Sequence, residues 1–216
     1  EYRQLIVAAK QLSAIKKVQQ GATHRNTAGG VYTKTDGIPP EIVWVIRFMV
    51  NGFMRPSDIK FLQHQHVTVV RAKHIYLRLN LPETKKHDKP IVTLQPAVYV
   101  YERLLAWQVR QGYGKPTDYV FQPEQLNRDL VLETYRWQFT WIQQQAGIGR
   151  NAANGQRRTL YSLRHSSMTF RLLYGRRVDL LTLARNARTS VEMVEKFYSS
   201  NLAAEMNIDL LQGRRD

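Results

Sequence analysis

The sequence predicts an α+β fold that is mainly α, with one small three-stranded antiparallel sheet set among helices. Three observations predict it. Apolar residues recur at helical spacing through the first 20 residues and through almost everything after Pro96. Between Val67 and Leu94 the pattern changes to alternation in β-branched and aromatic residues, the signature of short strands. A length of 216 residues, 43% of them apolar, is enough for one large domain, or one domain with a smaller attached piece, each with a buried core.

Taken in order, Leu5, Ala8, Ala9, Leu12, Ile15 and Val18 put residues 1–20 on one amphipathic helix. The Gly-, Thr- and Pro-rich stretch 20–40 marks a joint, so 1–20 reads as a linker or N-terminal helix and 21–216 as the main domain with a tail over 200–216. Pro39 and Pro40 open a helix that runs through Val50 and is stopped by Asn51-Gly52. Pro56 suits the first turn of the next short helix, where Asp58 complements the dipole. Strands are expected over 67–71, 74–79 and 90–94; the connection 80–89 carries Lys85, Lys86, His87 and Lys89. Helices follow over 96–111, 124–147, 159–174, 178–187 and 189–197, with loops around 112–118 and 147–156. Leu202, Met206 and Leu210, four apart, suggest a short amphipathic helix in the tail.

Thirty-two basic against 17 acidic residues leave a net charge of +15, which points to a polyanionic partner, with nucleic acid first and a membrane surface as the rival. The rival is weaker because the basic residues do not gather on one amphipathic helix, and the apolar run 42–50 is short and interrupted by Arg47. The absence of cysteine excludes disulfides, thiolate metal sites and thiol catalysis, and fits a reducing compartment, with the cytoplasm as the default. His64 and His66 form a His-x-His pair without a third ligand nearby in sequence, so no metal site is expected. The chain starts at Glu1 rather than a methionine and is read as part of something longer.

The stretch 157–177, RRTLYSLRHSSMTFRLLYGRR, holds the densest chemistry. On a helix over 159–174, Leu160, Leu163, Ser167, Phe170 and Tyr174 share one side, the expected core face. Tyr161, Arg164, His165, Met168 and Leu172 fall on another stripe, whose polar members cluster at the N-terminal end, where backbone N–H groups favour an anion such as phosphate. A solvated face with a satisfied histidine is the alternative.

From about residue 38 to 198 the chain resembles the catalytic domain of the tyrosine recombinases, the phage-integrase family. NGFMRPSDIKFL (51–62) is similar to the family's first arginine motif, which implies that Arg55 is a catalytic arginine and Asp58 its structural companion. ETKKHDKPIVTL (83–94) resembles the β-hairpin that carries the family's lysine, at Lys85 here. YSLRH (161–165) resembles the His-x-x-Arg box and makes Arg164 the second arginine, while LARNARTSVEMVEKFY (183–198) resembles the closing motif and makes Tyr198 the nucleophile. Two positions depart from the pattern: Tyr161 stands where histidine is usual, and Arg188 and Thr189 stand where glycine and histidine or tryptophan are usual. A phenol with an ordinary pKa of about 10 can donate a hydrogen bond to phosphate but is a poor base at neutral pH. Thr189 can likewise donate, and His165 is a candidate for base assistance, with packing as its other role. Arg188 in a glycine position asks for an ordinary backbone conformation there.

The resemblance implies a helical DNA breaking-rejoining domain that performs site-specific recombination without cofactor or metal, through a 3′-phosphotyrosyl intermediate. Its implied partner is double-stranded DNA bearing attachment-type sites, held by Lys86, Lys89, Arg71, Lys73, Arg150, Arg157 and Arg158 together with Lys85, through phosphates rather than bases. It further implies a homo-tetramer on DNA, with the free fragment able to be a monomer, accessory DNA-bending proteins, and a phage- or bacterially encoded protein in the nucleoid-bearing cytoplasm. Residues 1–20 are expected to be the end of the family's core-binding domain or the linker from it, and the tail to dock on a neighbouring protomer or on its own domain. The alternatives are a type IB topoisomerase, which shares the chemistry but relaxes DNA, and a DNA-binding module that has lost catalysis, suggested by Tyr161 and Thr189.

Overall fold

The structure is a computed structural model that describes residues 1–15, 23–25, 31–33, 38–81, 89–151, 155–175 and 178–198, with backbone alone at 23–25, 31–33, 197 and 198. In chain order the elements are α1 (Tyr2–Ala14), a hairpin of β1 (Thr23–Arg25) and β2 (Val31–Thr33), α2 (Glu41–Gly52) and α3 (Pro56–Phe61). A 3-10 turn at His64–His66 leads into β3 (Val67–Arg71), β4 (Ile75–Leu79) and β5 (Ile91–Val92). The helices α4 (Gln95–Val109), α5 (Arg128–Gln145), α6 (Leu160–Tyr174), α7 (Leu180–Asn186) and α8 (Val191–Tyr198) complete the fold. This is the mainly helical α+β architecture that the sequence predicts, with the expected three-stranded antiparallel sheet in the order β3-β4-β5.

The α2 helix sits at the centre because its sequence, EIVWVIRFMVNG, is apolar nearly all round. Ile42, Val45, Ile46, Phe48 and Met49 are fully buried, and α1, α4, α5 and α6 all pack against α2. Side chains of this kind contribute about 1.5–3 kcal/mol each when fully buried. The amphipathic face of α1 places Leu5, Ile6, Ala8, Ala9 and Leu12 in the same core, against α5 and α2. In the sheet, Leu77 and Leu79 on β4 and Ile91 on β5 are fully buried, and β4 packs on α4. Two bonds extend the β4–β5 pairing, Thr93 N–H to Leu77 O at 3.0 Å and Leu77 N–H to Thr93 Oγ1 at 3.0 Å, and one ties the end of the sheet to the core helix, Leu94 N–H to Asn51 O at 2.9 Å.

Several boundaries differ from the expectation, each for a physical reason. The α2 helix continues through Asn51 and Gly52, and the left-handed residue that ends it is Phe53, at φ 56°. The helix expected from 124 begins at Arg128, because the Asn127 side chain accepts from Asp129 N and Leu130 N and so fixes the start of α5. A short hairpin, β1–β2, lies within the joint expected over 20–40. The face assignment on α6 is also corrected. Arg164 and Met168 are buried beside Leu160, Leu163 and Ser167, because α2, α5 and α8 close on this helix from several sides. Tyr174, expected in the core, is 76% exposed; at the last residue of the helix its ring leans on Phe170 with centroids 6.1 Å apart. Among the described residues no helix is long and apolar enough to cross a membrane.

Candidate active site

Two helix stops build the site. At the first, the chain leaves α2 through left-handed Phe53 and turns into α3, with Arg55 at the N-cap and Pro56 in the first turn. Asp58, 6% exposed, accepts from the Arg55 backbone N–H through Oδ2 at 2.7 Å. Its carboxylate therefore clamps the main chain at Arg55 and leaves the guanidinium to reach elsewhere.

At the second stop, α7 ends in a Schellman turn: Thr189 N–H bonds Ala184 O at 2.9 Å and Arg188 N–H bonds Arg185 O at 3.1 Å. That motif needs a left-handed residue in the position Arg188 occupies, and Arg188 adopts it, at φ 55°. The ordinary conformation expected for a non-glycine residue is thus corrected; the turn keeps its shape although a Cβ in this region costs about 1–2 kcal/mol. Burial of the Arg188 side chain, 2% exposed, and the bond from Arg55 to its carbonyl hold it there.

The carbonyls of Ala187 and Arg188 face the two guanidiniums. Arg164, 1% exposed, donates through Nη2 to Ala187 O at 2.5 Å and through Nη1 to Phe53 O. Arg55 donates through Nη2 to Arg188 O at 2.5 Å. Two arginines 109 positions apart in sequence therefore grip consecutive peptide units, and Arg164 joins both helix stops. Ser190 then starts α8: its Oγ accepts from Met193 N–H at 3.2 Å and its carbonyl accepts from Val194 N–H at 3.2 Å. Fully buried Val194 anchors that helix, which packs on α6 and α7. Tyr198 is the last residue of α8.

Beside the clamp, a cleft of about 540 Å³ is lined by Arg55, Ser57, Arg136, Arg157, Arg158 and Tyr161 among others. Tyr161 is 41% exposed, and its ring meets His165 edge to face with centroids 5.0 Å apart. Burial, and secondarily the charge of Arg164, push the His165 pKa below that of an ordinary histidine, so the imidazole is neutral at neutral pH. Thr189 is half-buried in the turn.

The remaining predicted residues distribute unevenly. Arg157 and Arg158 line the cleft, but Arg158 is also tied to Glu1 Oε1 at 2.6 Å and to Ile148 O at 2.8 Å. Arg150 bonds Gly155 O at 3.0 Å. Arg71 pairs with Glu102 at the end of β3, exposed Lys73 follows it in the β3–β4 turn, and exposed Lys89 lies just before β5; none of these three is in the cleft wall. Lys85 and Lys86 fall outside the described residues, as does the tail from 199 onward. Of the His-x-His pair, His64 is taken up by packing. Gln108 Nε2 donates to Val120 O at 2.8 Å, so its Oε1 accepts from His64 Nε2 at 2.9 Å. His64 Nδ1 in turn accepts from Tyr101 Oη at 3.0 Å.

Reading the sequence missed Arg136, Ser57 and Thr140 in the cleft wall. Arg136 and Thr140 share a stripe of α5 with Leu132 and Phe139, four or fewer residues apart, and that stripe was the available signal. The carbonyl acceptors of residues 53, 187 and 188 had no signal, since backbone groups have no letter.

No protein-family model matches the chain, and no curated protein matches it in sequence. Solved structures do match. A crystal structure of XerA recombinase aligns over 100% of this chain and 64% of its own, with a TM-score of 0.54 and 16% identity. The XerH site-specific recombinase bound to a palindromic difH substrate, in a post-cleavage complex, aligns over 99% of this chain and 51% of its own, with a TM-score of 0.58 and 16% identity. Its pre-cleavage complex with a difH substrate aligns over 92% and 48%, with a TM-score of 0.56 and 20% identity. The chain thus spans about half to two thirds of the length of the structures it matches. Its fold is the one these site-specific recombinases share.

Proposed function

We propose that this chain is the catalytic part of a tyrosine-type site-specific DNA recombinase. The observation that carries the reading is the convergence of Arg164 and Arg55 on the carbonyls of Ala187 and Arg188, eleven and ten residues before the end of α8 at Tyr198. In this reaction the Tyr198 phenolic oxygen attacks a DNA phosphodiester, the new P–O bond forms as the bond to the 5′-oxygen breaks, and the 3′-phosphate stays on the tyrosine. Negative charge that builds on the phosphorane oxygens is met by the guanidinium forks and by hydroxyl donors from Tyr161 and Thr189. Lys85 supplies the proton that lets the 5′-oxygen leave as a hydroxyl, and neutral His165 is the base suited to the phenolic proton. Because the phosphotyrosyl link conserves the phosphodiester energy, a 5′-hydroxyl from a second strand reverses the step without ATP. The surplus of positive charge suits double-stranded DNA, with Arg157, Arg158, Lys86 and Lys89 on phosphates. Assembly as a tetramer on DNA, with the tail docked on a neighbour, belongs to the same proposal.

A second reading is favoured by one observation. Arg164 is 1% exposed and spends both Nη groups on the carbonyls of Phe53 and Ala187, as it would in a domain that binds DNA without cutting it. The experiment that decides incubates the full-length protein with a pool of duplexes of randomised sequence, nicked so that the cleaved fragment diffuses away. A recombinase gives an SDS-stable protein–DNA adduct and releases a strand whose 5′-hydroxyl polynucleotide kinase can label. Retention of duplex without adduct assigns the binding module instead.

A further inference from the structure

Val92 occupies the open edge of β5. Thr93 N–H is directed to Leu77 O on β4, so the antiparallel alternation turns both backbone groups of Val92 away from the sheet. Exposed edges of this kind normally bond water or a further strand. Here one side chain takes both groups: Asn186 Oδ1 accepts from Val92 N–H at 2.8 Å, and Asn186 Nδ2 donates to Val92 O at 2.9 Å. A carboxamide has the donor and acceptor of a peptide unit, and Asn186 presents them as a neighbouring strand would. It does so from the last residue of α7, immediately before the two carbonyls that seat Arg164 and Arg55.

We infer that Asn186 is a positioning residue for strand cleavage, a role that rests on the recombinase reading above. It fastens the sheet edge to the turn 187–188 and thereby fixes where both guanidiniums stand. No other residue type offers the same pair of bonds at this reach. Aspartate lacks the donor and would set a carboxylate against the Val92 carbonyl, and leucine loses both bonds. Val92 is 39% exposed, so water can replace the lost amide and the fold survives its removal. Placement of a transition-state donor is less forgiving, since a misplacement of about 1 Å can cost about a hundredfold in rate.

The test uses the full-length protein, Asn186→Asp and Asn186→Leu, on a nicked duplex recovered from the randomised pool. Both variants are expected to bind that duplex within about twofold of the parent and to form the covalent adduct about tenfold or more slowly. Exchange of the Val92 amide hydrogen should quicken in Asn186→Leu, which removes its acceptor. A duplex with a methylphosphonate at the scissile position separates positioning from general damage. The methyl group removes charge that the guanidiniums must meet, so the gap between variant and parent should narrow on it; a purely structural loss leaves the gap unchanged. Should the Asn186 variants fold poorly, Val92→Pro removes the donor from the strand side, where an edge position tolerates proline, and the same slow, narrowing pattern is expected. Parental rates in the variants, or an equal loss on both duplexes, overturn the role of Asn186 and leave the recombinase reading standing. A parent protein that forms no adduct overturns both.

Discussion

At the scale of single residues, the proposed chemistry rests on the two guanidiniums. Arg55 is held by its own backbone through Asp58 and reaches the turn with one Nη, so its fork has donors left for a phosphate. Arg55→Ala is expected to slow adduct formation about 10²- to 10³-fold with little change in duplex affinity, measured by single-turnover cleavage. Arg55→Lys should recover little, because an ammonium lacks the bidentate geometry. His165 gives a second check: its NMR titration midpoint should lie below that of an ordinary histidine, since burial and the Arg164 charge both disfavour the imidazolium, and a midpoint at or above the ordinary value contradicts the packing around it. The spacing of Arg55, Arg164 and Tyr198 was legible in the sequence. The burial of Arg164 was not, because a helical wheel sees one helix and the closure comes from α2 and α8. Asn186 was illegible for a related reason: its partner is the backbone of a residue 94 positions away.

At the scale of elements, α2 depends on its first residue. Glu41, 3% exposed, accepts from Tyr135 Oη at 2.7 Å and from Gln122 N–H at 2.9 Å, joining the start of α2 to α5 and the preceding loop. Burial, despite the two hydrogen bonds, raises its carboxyl to about 7. A carboxyl raised in the folded state favours folding below its unfolded pKa, and that contribution fades as pH rises through the folded value. Wild-type stability should therefore fall relative to Glu41→Gln between about pH 4.5 and 7, by an amount on the order of 3 kcal/mol, in denaturant unfolding followed across that range. A difference that does not change with pH contradicts the buried proton. The start of α5 rests on the Asn127 cap, and Asn127→Ala should cost about 1 kcal/mol by the same measurement. Patterning located β3 without error because VTVVR is dense in β-branched residues. It misjudged the end of α2 because Asn51-Gly52 looks like a stop by composition, whereas the chain turns at Phe53, whose carbonyl Arg164 holds.

At the scale of the whole molecule, the net charge of +15 and the arginine-lined cleft beside the clamp suit a polyanion that runs across the site. If about six phosphates are neutralised, log affinity for duplex DNA should fall against log salt with a slope of roughly −5; a slope near zero contradicts a phosphate-dominated interface. The general architecture was readable from length and periodicity, and the recombinase-like spacing from motifs alone, while the way two helix stops face each other across the core depends on tertiary packing that no local pattern encodes. The most direct measurement of the central claim is the site of attachment. Adduct formed by the full-length protein on the nicked pool is digested with nuclease and protease, and the peptide that retains a nucleotide is sequenced by mass spectrometry. The account predicts a single modified residue, Tyr198, and no adduct from Tyr198→Phe; modification at another residue, or an adduct that persists in Tyr198→Phe, contradicts it.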